Sequence, residues 1–252
     1  MANKDSIVVD IAKVEKATVK MFVVGTSPII LNRLSEKVKQ ELLLPKGKKT
    51  KADKESTAKH SPIKEYQASP YVLADEAAET YLSFPASAFK GAMRVAALDL
   101  PGSSKAQIGR LVYVEGDLVP LYGTPKLLMS ITRSADINKT PDVRTRAIIS
   151  QWAAVLNISF VTPIMKLPAI LNLLSASGIT SGVGDWRPEK GKGDYGQFRI
   201  ANEDDTELIE IMKAGRKTQI AAMQNPETYD LETEELLSWY NVEAVRRGFK
   251  TV

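Results

Sequence analysis

The order of apolar and polar positions predicts a mixture of strands and helices. Residues 6–11 (Ser-Ile-Val-Val-Asp-Ile) and 17–24 (Ala-Thr-Val-Lys-Met-Phe-Val-Val) are β-branched and apolar, and predict two strands. Gly25-Thr26-Ser27-Pro28 ends the second. Leu31, Leu34, Val38 and Leu42 then fall at helical spacing, with Asn32 or Ser35 able to cap and Pro45 as the stop. Residues 45–70 are Lys, Ser, Thr, Gly and Pro with almost no large apolar side chain before Ile63 and Tyr66, which predicts a flexible insertion over about 45–75. A short strand is predicted over 79–84, a helix entry at Pro85-Ala86-Ser87 and a helix over 88–98. Strands over 110–115, 118–122 and 126–132 follow, then a polar loop over 133–142. Residues 143–161 form one long extended run. Its Trp152, Ala154, Leu156, Ile158 and Phe160 share a face, and its length calls for a bulge or bend near Ser150. A Leu-rich helix (165–177), a glycine-dense stretch (178–196), a strand (197–200) and two helices (205–223 and 232–247, joined through Asn225-Pro226) complete the chain. Strands and helices do not strictly alternate. The pattern therefore favours an α+β antiparallel sheet with helices on one face over a doubly wound parallel sheet.

Composition narrows the chemistry. The 252 residues are 44% hydrophobic and 25% charged, the proportions of a globular protein. Zero Cys excludes disulfides, thiolate metal sites and cysteine nucleophiles. The single His, His60, excludes multi-His metal centres, and any catalytic histidine has to be this one. No catalytic residue, cofactor or metal is expected. No apolar run reaches the roughly 20 residues that cross a bilayer. Residues 1–5 carry no apolar signal segment, so a cytoplasmic protein without a membrane partner is expected.

Charge is uneven. Residues 45–66 hold seven Lys, among them Lys46, Lys48 and Lys49, against three acids, a net +4 that equals the net charge of the whole chain. Residues 202–252 hold eleven acids and six bases, a net −5, which leaves +9 on residues 1–201. A basic body over 1–201 with an acidic helical extension over 202–252 points to a polyanionic partner for the body.

Three segments carry candidate chemistry. In Phe84-Pro85-Ala86-Ser87-Ala88-Phe89-Lys90-Gly91-Ala92-Met93-Arg94, Pro85 and Ser87 open a helix whose first N–H groups lack internal partners. Lys90 and Arg94, one turn apart, share a face beside that helix start, which makes a phosphate seat. Mid-helix Gly91 costs about 1 kcal/mol against Ala, so close approach is wanted there. In the glycine-dense stretch, Gly182 and Gly184 permit positive φ and close approach to a ligand. Trp186 and Tyr195 have the shape to stack on bases, and Arg187, Lys190 and Lys192 have the charge for phosphates. The stretch matches neither a P-loop nor a dinucleotide fingerprint. In Pro141-Asp142-Val143-Arg144-Thr145-Arg146, the two Arg project from one face of an extended segment, and guanidinium groups grip phosphate bidentately. Each segment also has a plain structural reading: a capped amphipathic helix, a hairpin turn with core aromatics, and a surface strand.

In this order, the segments resemble the RAMP superfamily of CRISPR systems, above all the backbone subunits that coat guide RNA. The likeness rests on the Pro-x-Ser-x-Φ-Lys-Gly-x-x-Arg helix start at Pro85–Arg94 and on the late glycine-rich loop at Gly182–Phe198, and it spans about residues 15–200. It implies a modified ferredoxin-like (RNA-recognition-like) antiparallel sheet with inserted lobes. One lobe would be a β-hairpin thumb, at 45–75 or 133–146. It further implies a non-catalytic protein that binds single-stranded RNA, or single-stranded DNA in a viral or mobile-element relative. Copies would stack into a helical homo-oligomeric filament, with other effector subunits as further partners. The Lys90/Arg94 helix would line the backbone groove, and the glycine loop would close over the strand. Some relatives cut RNA with a loop Asp or a His; Asp53, Asp75, Asp136 and His60 are the residues on offer, and no pattern selects one. A structural or assembly protein of a viral particle is the competing reading.

Overall fold

The computed structural model describes residues 13–34, 43, 60–133, 141–191 and 193–249. Strand β1 (Glu15–Gly25), second from one edge of the large sheet, alternates over its first half and is buried over Met21–Val24. Lys16, Thr18 and Lys20 face out, while Ala17, Val19, Met21 and Val23 face the core. It pairs antiparallel with β9 (Ala153–Thr162) on one side and β10 (Phe198–Ala201) on the other. Beyond β9 the sheet continues through β6 (Leu118–Tyr122), β4 (Leu82–Pro85) and β3 (Tyr71–Val72). The same edge of β9 carries a second strand, β5 (Val112–Val114), so β5 and β6 lie in tandem along it. A smaller sheet has the order β2 (Ile29–Ile30), β8 (Pro141–Ile149), β7 (Pro125–Arg133), and all of its pairs are antiparallel as well.

The long extended run is two strands in two sheets. It bends at Ser150–Trp152, leaving β8 in the small sheet and β9 in the large one. Trp152, Ala154, Leu156 and Ile158 are fully buried on the shared face, as their alternation requires. Trp152 pins the bend. Its indole N–H donates to the Ser27 carbonyl at 2.8 Å, and its ring occupies the space a side chain would need at Gly25. Helices α2 (Ala86–Ala96) and α4 (Leu167–Thr180) pack against each other over the inner face. There Phe84, Phe89, Phe198 and Trp152 make a chain of edge-to-face rings with centroids 5.8–6.2 Å apart.

Several expectations change. Residues 31–34 are not helical: Leu31 is buried and its N–H donates to the Ala147 carbonyl, so the chain runs along β8 instead. The rest of that predicted helix, apart from exposed Leu43, lies outside the described residues, as do the predicted strand 6–11 and residues 45–59. Between His60 and Pro70 the expected flexible insertion contributes to the core, and consecutive described residues are exposed only at its end, over 74–77. Helix α1 (Pro62–Ala68) buries Tyr66 completely, and the Tyr66 hydroxyl lies within hydrogen-bonding reach of the carbonyls of Pro125 and Ala222. Helix α3 (Lys105–Leu111) precedes β5 where only a strand was expected. Ser104 caps it, accepting from the Gln107 N–H.

The acidic C-terminal segment folds into α5 (Thr206–Met212), α6 (Arg216–Gln224) and α7 (Leu231–Arg246), with the expected first helix broken at 213–215. Its contacts reach into the interior. Gln219 has no exposed surface; its side-chain oxygen accepts from the N–H groups of Tyr81 and Leu82, and its amide donates to the carbonyls of Leu121 and Gly123. Residues 227–229 then add to the edge of β7 through Leu127.

Candidate functional site

Helix α2 starts at the end of β4 because Pro85, extended at φ −61° and ψ 125°, cannot continue the ladder and leads directly into helical Ala86. Phe89, Met93 and Ala96 are buried, as their spacing predicts. The face carrying Ser87, Ala88, Gly91 and Arg94 forms one wall of a groove of about 470 Å³. Val183, Gly184, Asp185, Arg187 and Glu189 of the glycine-rich loop form the other wall, and Asn32, Tyr71 and Lys105 complete it. The two segments singled out in the sequence, separated by some ninety positions, therefore meet across one groove. Gly91 faces it with nothing among the described residues within 4 Å of where a Cβ would stand. Packing against the described residues therefore does not call for its missing side chain.

The glycines of the loop behave differently. Gly182, Gly184, Gly191 and Gly196 have positive φ, as does Trp186 at 53°. A side chain at Gly178, Gly184, Gly193 or Gly196 would overlap the backbone of Phe198, Ile30, Trp186 or Val183, respectively. The close approach they allow is thus of the protein to itself. Main-chain bonds fasten the loop: Val183 N–H to Gly196 carbonyl (2.9 Å), Asp185 N–H to Ile30 carbonyl (3.0 Å) and Gly196 N–H to Pro28 carbonyl (2.8 Å). These bonds tie the described part of the loop to its own base and to the chain around β2.

The candidate cations divide by partner. Arg187 bonds Glu189 at 2.7 Å and the Gly184 carbonyl at 2.9 Å, and exposed Lys190 stands 3.7 Å from the same Glu189. Arg146 pairs with Asp185 and is only 13% exposed; burial, with Arg144 nearby, pushes its pKa down to about 10. Arg144 pairs with Asp142 at 3.2 Å. The two Arg do share a face, but carboxylates of this chain occupy both, and neither lines the groove. Lys90 is also off the groove, with its ammonium 4.3 Å above the Tyr113 ring on β5; burial and then Arg94 lower its pKa. Lys46, Lys48, Lys49 and Lys192 lie outside the described residues.

Two cations of the groove wall have no carboxylate partner among the described residues: Arg94 and exposed Lys105. The Nε of Arg94 is buried without a hydrogen-bond partner, and its guanidinium lies against Gly109 of α3. A bare α-carbon at Gly109 is what lets it lie there. Sequence reasoning found Arg94 and missed Lys105, Asn32 and Tyr71. The capping Ser104 marks the start of α3 and is the signal that could have placed Lys105.

The aromatics expected to stack on bases are committed elsewhere. Trp186 and Tyr195 contact each other, centroids 6.0 Å apart, and pack with Ile30, Leu128, Ile148 and Tyr229 on the small sheet. The aromatic rings that line the groove are Tyr71, with the Arg33 guanidinium 5.7 Å from its centroid, and mostly buried Phe84. His60 is also re-placed. It is partly buried, with Nδ1 3.0 Å from Glu65 and Nε2 3.2 Å from Asp142, and its carbonyl accepts from the Tyr240 hydroxyl. It joins α1, β8 and α7 and does not line the groove. Among the described residues no cluster of three or more His, Asp or Glu side chains can hold a metal ion. No described helix is long and apolar enough to cross a membrane.

No protein-family model and no curated protein matches this sequence.

Proposed function

We propose that this chain binds single-stranded nucleic acid, RNA first and single-stranded DNA as the alternative. Copies assemble side by side along the strand, in the manner of a RAMP-type backbone subunit of a CRISPR-like effector. The observation that carries the reading is the groove. The helix start and the glycine loop, on which the resemblance rests, form its two walls, and Arg94 and Lys105 are its cations with no carboxylate partner among the described residues. The sheet order fits as well. β10, β1, β9 and the β5/β6 edge, with α2 and α4 as crossover helices, follow the strand order of a ferredoxin-like unit. In this reading Arg94 and Lys105 hold backbone phosphates, the Ser87 hydroxyl offers a further bond, and Gly91 lets the sugar–phosphate chain lie against α2. The chain is a binder and not an enzyme.

The test is fluorescence anisotropy of short labelled RNA, DNA and duplex oligonucleotides across a salt series. The expected result is tighter binding to single strands and a log–log salt slope near −0.7 for each phosphate neutralised, or about −1.4 for two. Binding that ignores salt, or that favours duplex, would refute the reading.

Gly91 separates function from stability. Gly91→Ala should raise stability by about 0.5–1 kcal/mol, because Ala is the better helix former and the added methyl meets only open space. The same methyl should weaken strand binding several-fold. A melting curve and a titration on one sample check both, and unchanged affinity would remove Gly91 from the contact surface.

A further inference from the structure

Helix α7 is apolar on two opposite faces. Leu236 and Leu237 on one face pack against the body of the chain, and Ala244 on the same face is buried. On the other, Leu231, Trp239, Val242 and Val245 are 66–76% exposed. At 100° per residue these four fall within about a third of the helix circumference, with Glu235 and Arg246 among them. A helix with apolar residues all round is normally buried all round. An exposed Trp flanked by aliphatic side chains is the composition of an interface centre.

The arrangement of charge selects the occupant. Set two copies of α7 antiparallel about a two-fold axis between Tyr240 and Asn241. Glu235 of each copy then faces Arg246 of the other, and Trp239 faces Val242. Both pairs lie on the same side of the contact, as a self-complementary interface demands. Glu235 is exposed with no cationic partner among the described residues. Arg246 is 68% exposed and keeps donors beyond those it gives Glu243. We propose that this chain forms a two-fold dimer through antiparallel pairing of the Leu231–Arg246 helix. The contact is closed, unlike the side-by-side contact along a strand, and needs no nucleic acid.

Nuclease-treated protein, shown by absorbance to be free of nucleic acid, is followed by sedimentation velocity from about 1 to 100 µM. The expected result is a concentration-dependent doubling of mass. Trp239→Glu should leave a monomer that melts like wild type, because the indole is solvent-exposed. Glu235→Arg and Arg246→Glu should each weaken the dimer at least tenfold, since each sets like charges opposite one another. An equimolar mixture of these two variants should dimerise again, because both facing pairs are then complementary. A monomer at every concentration would assign the stripe to a partner of different sequence and overturn the proposal. Association that survives Trp239→Glu, or a mixture that fails to re-associate, would do the same. None of these outcomes bears on strand binding, which is measured separately.

Discussion

Arg94→Glu combined with Lys105→Glu lowers affinity for a single-stranded oligonucleotide by at least about a hundredfold at physiological salt. Each hydrogen bond from a charged donor to a phosphate is worth about 1.5–3 kcal/mol, so losing two removes about 3–6 kcal/mol before any repulsion is counted. The fold should hold. Arg94 has no ion pair to lose among the described residues, and a carboxylate at the first position of α3 suits the positive end of that helix. Circular dichroism before and after the change checks this. Two comparisons sharpen the result. Lys90→Ala should change affinity less than about threefold, because its ammonium is already seated on Tyr113. Arg146→Gln should act on stability first, because it strands the partly buried Asp185 carboxylate. If Lys90→Ala is the damaging change, the strand follows a different path over α2.

Gln219→Leu is the substitution expected to cost most in stability, about 4 kcal/mol or more. Four main-chain groups depend on this one side chain, at 2.8–3.0 Å, in a site with no solvent contact. Each buried group left without a partner costs about 1–3 kcal/mol. For a chain of this size the loss corresponds to a fall in melting temperature of about 8–16 °C. Gln219→Glu should be no better, because it turns an acidic oxygen toward the carbonyls of Leu121 and Gly123. Chemical denaturation gives the value, and a loss under about 1.5 kcal/mol would show that water or main-chain shifts replace the amide.

Arg94 and Gln219 mark where sequence reading succeeds and where it stops. Elements with one buried face are legible: β1, β9, α2, α4 and β10 appear near their expected places because alternation or helical spacing reports burial directly. Arg94 is legible because it falls about two turns after the helix start, on the face that carries Ser87 and Gly91. Gln219 is not, because one buried amide in a polar helix leaves no periodic trace. Tyr66 is hidden in the same way among Lys, Ser and Gly. The cations were legible as charges but not as partners. Arg146 meets Asp185, and Arg144 meets Asp142, only once the strands are folded together. Spacing along the chain says which side chains share a face, but not which carboxylates wait opposite. The type of Trp186 suggests a ligand contact, whereas the folded chain packs it with Ile30, Leu128 and Ile148 on the small sheet.

The self-packed glycines bear on how this groove can change over time. Gly178, Gly184, Gly193 and Gly196 are each held by neighbouring main chain, so almost any replacement would force the backbone apart. Gly191, at the tip, has only open space around it. Drift in the loop is therefore tolerated near that tip and punished at its base. Versions of this protein with a different groove would differ around 187–191 and along the outer side of α2, and would share the same glycyl foundation.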